Sequence, residues 1–134
     1  MDSESVAGWV ASVIGLRQDP MISWPKPPDM EFKSVDRGLP ESFWMTYSAF
    51  ANSDGGFIVL GISGDGDGYA VSGVGDPDGI IRDIQDGLRD RGRVSADLIR
   101  GDIGVMDVDG KDLVIMEVPR AECHLRPVYV NGRV

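Results

Sequence analysis

Apolar residues recur at Val6, Trp9, Val10, Val13 and Ile14 near the start of the chain. Steps of three and four predict an amphipathic helix over residues 6–16. The next stretch, "RQDPMISWPKPPD", holds four prolines. It cannot form regular structure and reads as an extended connector. "MEFKSV" then alternates, which predicts a short strand with Met30, Phe32 and Ser34 on one face and Glu31, Lys33 and Val35 on the other.

The clearest helix signal is "RGLPESFWMTYSAFANSDGG". Pro40 suits a first helical turn, where a missing N–H costs nothing, and Glu41 favours the positive end of the helix dipole. Phe43, Tyr47, Phe50 and Ala51 share one face, with Trp44 beside them. Asn52 can end the helix, and Gly55 or Gly56 can supply the left-handed residue that leaves it. "FIVLGI" shows no polar alternation, which predicts a strand buried on both faces. "SGDGDG" is a tight turn into "YAVSGV", giving a hairpin. "DPDGIIRDIQDGLRDRG" predicts a helix starting near residues 76–78, with Ile80, Ile81, Ile84 and Leu88 inward and Gly92 closing it. "LIRGDIGVMDV" and "DLVIMEVP" predict two strands joined at "DGK". "RPVYVNGRV" opens one more strand with an "NG" turn, whose second arm is almost absent from the sequence.

This order predicts an α+β fold: a single domain with a mixed β-sheet and about three helices packed on it. Residues 1–28 divide off as an N-terminal helix and proline-rich connector. Residues 29–134 form the domain proper, expected to be cut before its last strand.

Bulk properties narrow the function. With 134 residues and 42% hydrophobic content the chain can build one core and not two. No apolar run approaches bilayer length, so no membrane partner is expected. The acidic start, "MDSES", lacks the basic region of a secretory signal, and a cytoplasmic location is expected. A single cysteine, Cys123, excludes an internal disulfide and a cysteine-based zinc site. The net charge is −9, from 22 acidic and 13 basic residues. Nucleic acid binding draws on neutralised phosphates, so this balance opposes it unless the basic residues share one face.

Several motifs suggest chemistry. Gly61 and Gly66 are spaced as in a phosphate loop, but Asp67 and Gly68 stand where lysine and a hydroxyl residue are required, so ATP is not expected as a cofactor. The acidic turns "GDGDG", "DPDG" and "DVDGKD" carry Tyr69, Ile80 and Lys111 where a calcium loop needs a third ligand, and they read as turns. Cys123 and His124 are neighbours, which read as a semi-buried thiol and a loop histidine rather than a catalytic pair. "RDRGR", residues 89–93, is the densest basic window; it is either a solvated helix end or a phosphate contact. "NSDGG" is either a helix-ending turn alone or also a cradle of backbone amides for an anion.

"MEFKSV", "SAFANSDGGFIVLGIS", "GDGYAVSGV" and "VIMEVPRAECHLRPVYVNG" together resemble the Schlafen AlbA-like (AlbA_2) domain family, over roughly Met30 to the C-terminus. Glu31 and Lys33 match its "EFK", Asn52, Gly55 and Gly56 its "AN–GG" turn, and Pro127 and Tyr129 its late "P–Y" strand. The family occurs in bacterial proteins described as transcriptional regulators and in RecG-like helicase-related proteins, and was once labelled a divergent AAA ATPase. The resemblance implies DNA binding. Nucleolytic Schlafen members use three carboxylates. Here only Glu31 matches; Lys26 stands at one acid position and Ser63 at the other. Asp29 and Asp65 lie nearby with the wrong spacing.

The reading is a nucleic-acid-binding domain of a larger bacterial protein, regulatory rather than catalytic, with no metal site. Its candidate contacts to DNA or RNA are Lys33, Arg37, Arg89, Arg91, Arg93 and Arg126, with Arg120 and Arg133 near the last. The rivals are a divergent nuclease or nucleotide-binding enzyme, and an interaction module that forms a homodimer or docks other domains.

Overall fold

The structure is a computed structural model that describes residues 30–65, 68–99, 103–108 and 110–132. The expected helix over residues 6–16 and the connector after it lie outside the described residues. In chain order the elements are strand β1 (Met30–Lys33), helix α1 (Ser42–Ala51), β2 (Gly56–Leu60), β3 (Ile62–Asp65), β4 (Gly68–Val71), helix α2 (Pro77–Arg89), β5 (Gly104–Val108) and β6 (Lys111–Val118), then a short 3-10 turn at Cys123–Leu125. The described residues therefore hold two α-helices rather than about three.

The apolar run at the middle of the chain becomes the middle of the sheet. Strand order is β1-β2-β6-β5. β1 runs parallel to β2, while β6 is antiparallel to both β2 and β5. A parallel pair needs a crossover, and α1 supplies it between β1 and β2. Phe57, Ile58, Val59 and Leu60 are all buried, because β2 has apolar neighbours on both faces. Ile58 and Leu60 join the larger core with Val114, Met116 and Val118 of β6, Phe43, Tyr47 and Ala51 of α1, and Ile80, Ile84 and Leu88 of α2. Phe57 and Val59 join a second core with Met30, Ile62, Leu113 and Ile115.

The sequence predicts one strand over "FIVLGI"; the structure breaks it after Leu60. Gly61 has φ +104°, and a Cβ there would lie 2.9 Å from the Leu113 side chain. The chain turns at this point, and β3 pairs only with β4 in a separate two-stranded sheet. The Gly61 carbonyl accepts the N–H groups of Ser72 and Gly73, which closes the hairpin base.

Helix α1 begins later than Pro40. Its first residue is Ser42, and the Phe43 N–H bonds the Pro40 carbonyl at 3.0 Å. Its buried face is Phe43, Trp44, Tyr47, Ser48 and Ala51, with Phe50 only partly covered. Helix α2 starts as its sequence suggests: Asp76 accepts from the Gly79 N–H, and Pro77 follows in the first turn. It ends at Arg89, before Gly92.

The strand expected from Leu98 begins instead at Gly104. The physical reason is Tyr47. Its buried hydroxyl donates to the Ala96 carbonyl at 2.8 Å and accepts from the Leu98 N–H at 2.9 Å. Residues 96–98 thus spend their backbone groups on a side chain of α1 and lie over the core, outside the ladder. The late "VYVNG" makes a single bridge, Val94 to Val130. Asn131 and Gly132 both have positive φ, as an "NG" turn requires.

Exit from α1 uses Gly55, whose φ is +79°; Gly56 is the first residue of β2 and has no positive φ. A Cβ on Gly55 would lie 2.7 Å from the Val118 carbonyl oxygen and 3.0 Å from the Arg120 nitrogen.

Two outcomes follow from these contacts. Gly55→Ala destabilises by about 2–4 kcal/mol, from backbone strain plus the clash, whereas Gly56→Ala stays within about 1 kcal/mol; urea denaturation of both variants separates them. Tyr47→Phe loses both buried hydrogen bonds and costs about 1–3 kcal/mol, read as a lower urea midpoint.

Candidate nucleic-acid interface

The "NSDGG" turn is where the sequence left two uses open. Asn52 is the last residue of the α1 cap, and its amide is engaged inside the protein. Its Oδ1 accepts the Val128 N–H at 2.6 Å, and its Nδ2 donates to the Val128 carbonyl at 3.1 Å and to Ser48 Oγ at 3.2 Å. Ser48 Oγ also donates to the Val128 carbonyl, at 2.7 Å. The carboxamide pairs with Val128 as a neighbouring strand would, exchanging both hydrogen bonds. Three of the turn's N–H groups are engaged as well: those of Ser53 and Gly55 bond the Phe50 carbonyl, and that of Asn52 bonds the Ser48 carbonyl. The matched "AN–GG" and "P–Y" segments meet in space, since Val128 lies between Pro127 and Tyr129. Their contact is structural.

Lys33 occupies a different kind of place. Glu31 and Lys33 pair in register with Ile58 and Leu60, so they lie on the helix-covered side of the sheet. Lys33 is at the carboxyl end of β1, close to the start of α1. A shallow groove of about 230 Å³ opens there, lined by Lys33, Ser34, Ser42, Ser63 and Gly64 beside Pro40. One lysine and three serines are among its lining residues, with Phe32 and Ile62, and no carboxylate is. Ser63 is the residue that stands where nucleolytic relatives carry an acid. Among the described residues no three His, Cys, Asp or Glu gather as metal ligands. The sequence reading picked out Lys33 but missed Ser34 and Ser42, because only the β1–α1–β2 crossover brings them together.

The candidate arginines do not share one groove: only Arg37 and Arg93 meet. Arg37 and Arg93 line a cleft of about 470 Å³ between the residue 37–41 loop and α2, together with Glu41, Asp83, Asp86 and Asp90. Four carboxylates outnumber two guanidiniums, and Arg93 already pairs with Glu41 at 3.4 Å. Arg89 pairs with Asp86 at 3.9 Å and lines a separate concavity with Ile81, Asp97 and Ile103. Arg91 donates to the Val94 carbonyl at 3.3 Å. Arg126 lies far along the chain in the 3-10 turn and donates to Cys123 Sγ at 2.8 Å. The "RDRGR" window splits because α2 ends at Arg89 and the Asp90–Gly92 turn redirects each side chain. Cys123 is exposed rather than semi-buried, and His124 faces Glu122 at 3.4 Å.

Asn52→Ala leaves the buried Val128 N–H without its acceptor and removes two donors, costing about 2–3 kcal/mol in a urea melt. Asn52→Asp sets a carboxylate against the Val128 carbonyl and gives no rescue. A melt unchanged by both would refute the structural role.

The family described as Schlafen, AlbA_2 matches residues 28–134. Among solved structures, the N-terminal domain of the ATP-dependent DNA helicase RecG-related protein of Nitrosomonas europaea is similar at 26% identity and a TM-score of 0.71, over 97% of this chain and 81% of that one. A Corynebacterium diphtheriae protein shares the fold at 19% identity and a TM-score of 0.54, over 93% of this chain and 24% of that one. No curated protein matches significantly. The match spans most of the chain and includes the β1 motif, the Asn52 turn and the late segment around Val128 that the turn secures: this chain belongs to the Schlafen AlbA_2 family.

Proposed function

We propose that this domain binds DNA or RNA through backbone phosphates, as a regulatory or accessory unit without chemistry of its own. The observation that carries the reading is the groove at the carboxyl end of β1. In α/β crossovers ligands bind outside the carboxyl ends of strands, where the next helix presents its positive end. Lys33 adds a full positive charge there, and Ser34, Ser42 and Ser63 add hydroxyl donors, a set suited to phosphate oxygens. The likeness to a RecG-related N-terminal domain supports the nucleic acid association. Lys26 and Ser63 at two acid positions support a role apart from metal-dependent cleavage, which needs carboxylates to hold the ion and aim water. Asp67 and Gly68 in place of a phosphate-loop lysine and hydroxyl support a role apart from ATP.

The arginine cleft contributes less, because Glu41, Asp83, Asp86 and Asp90 compete with phosphate for Arg37 and Arg93. With a net charge of −9 the domain binds weakly, and binding is confined to the local patch.

Fluorescence anisotropy with short single- and double-stranded oligonucleotides at two salt concentrations tests this. Lys33→Ala weakens binding across sequences and lowers the salt slope of log K by roughly one. The triple change Arg89→Ala, Arg91→Ala, Arg93→Ala weakens it less. Absence of binding at low salt refutes the reading and favours a protein-interaction module. Magnesium- or manganese-dependent cleavage of tRNA, abolished by Glu31→Gln, would refute the non-catalytic part.

A further inference from the structure

Strand β5 has β6 on one side and no described strand on the other. Val108 and Lys111 pair across a two-residue turn, which closes on a hydrogen-bonded pair. By alternation Met106 and Gly104 also direct their backbone groups to β6. The N–H and C=O groups of Val105 and Asp107 therefore point away from β6, and no described residue takes them. Such a row of donors and acceptors is a template for one more strand.

The side chains along this edge are as specific as its backbone. Val105 stands beside the buried Val114, on the sheet face that the helices cover, yet it is 48% exposed. Asp107 follows on the same face, directly opposite Asp112 in register. Like charges so placed repel each other, and neither carboxylate has an ion pair with a described residue. On the other side of Val105 the row continues with Ile103, half-buried against the helix-side core. Ile103 lines a concavity of about 510 Å³ whose walls include Ile81, Leu88 and Ile99.

We infer that the β5 edge is a docking site for an extended segment of a protein partner, with a basic side chain opposite Asp107 and apolar side chains opposite Val105 and Ile103. Added as an antiparallel strand, that segment reads basic-x-apolar-x-apolar, the period of a strand with one face turned to these residues. Its backbone takes up the open groups of Val105 and Asp107. Its cation faces the carboxylates of Asp107 and Asp112 together, and its apolar residues cover Val105 and reach the concavity at Ile103. A second copy of this chain fits worse. Two-fold pairing of β5 with itself, centred on Val105, Met106 or Asp107, sets Asp107 against Ile103, Val105 or another Asp107. A net charge of −9 on each copy adds repulsion. The β5 edge lies across the sheet from β1, so this site is separate from the Lys33 groove.

An NMR titration of the isotope-labelled full chain tests this with three synthetic heptapeptides. The first is threonine throughout except for lysine second and valines fourth and sixth. The second has glutamate in place of that lysine, and the third is a shuffle with lysine between the two valines. The amide signals of Val105 and Asp107 shift with the first peptide, and the other two bind about fivefold more weakly or less. Asp107→Lys reverses the preference between lysine and glutamate. Val105→Pro removes an outward donor, leaves the ladder to β6 intact and weakens binding of the first peptide; if that variant does not fold, the Asp107→Lys reversal still decides. No shift at millimolar peptide, equal binding of all three, or shifts confined to the Lys33 groove overturns the inference. Concentration-dependent shifts of Val105 and Asp107 without peptide show that a second copy takes the edge, and also overturn it.

Discussion

Strand β2 is apolar on both sides, and the rest of the domain is arranged to cover it. Ile58 and Leu60 need a layer on one side; Phe57 and Val59 need one on the other. Burial of each such side chain is worth about 1.5–3 kcal/mol. The helix layer is fixed by polar contacts more than by the helices' own ends. Helix α1 carries no side-chain cap at its start. It is held instead by Tyr47 at residues 96–98 and by Ser48 and Asn52 at Val128, all at sequence separations of 49 or more. These contacts fasten two irregular segments to the core, where their backbone groups would otherwise be buried unpaired.

Charge is distributed by the same arrangement. The helix side of the sheet ends in a hydroxyl-lined groove at Lys33, while the outer side of α2 carries aspartates that neutralise the arginines near them. A domain with an overall negative charge can still offer one local site for phosphate, because screening confines each charge to about 10 Å at moderate salt. For the phosphate site proposed at Lys33, a lining without carboxylates counts for more than the total charge.

Family motifs here mark the scaffold as much as the site. Gly55 lets α1 turn into β2 against the end of β6, and Asn52 secures Val128 of the late segment. Replacing such residues damages the fold before it touches any ligand, so loss of function in those variants carries no information about contact. Lys33 and Ser63, half-buried at the groove, hold no such contact to the late segment.

Local pattern was enough for the order of β1, α1, β2, the β3–β4 hairpin, α2, β5 and β6, though not for the strand expected at "RPVYVNGRV", which makes only a single bridge. Period-two alternation marked β1, an unbroken apolar run marked β2 as central, and the stripe of Ile80, Ile84 and Leu88 marked α2, because each signal is carried by adjacent residues obeying one repeat. The sequence also carried the family, through residues clustered in short motifs. It could not show that "FIVLGI" bends at Gly61 into a second sheet, since the close approach of Leu113, Asp112 and Gly73 to Gly61 comes from segments distant in sequence. It could not show that Leu98 is kept out of β5 by a tyrosine 51 residues away. Nor could it show that the three arginines of the "RDRGR" window take different partners while Lys33, Ser42 and Ser63 line one groove. Those outcomes depend on the meeting of distant segments, and only the packed core brings such segments within hydrogen-bonding reach.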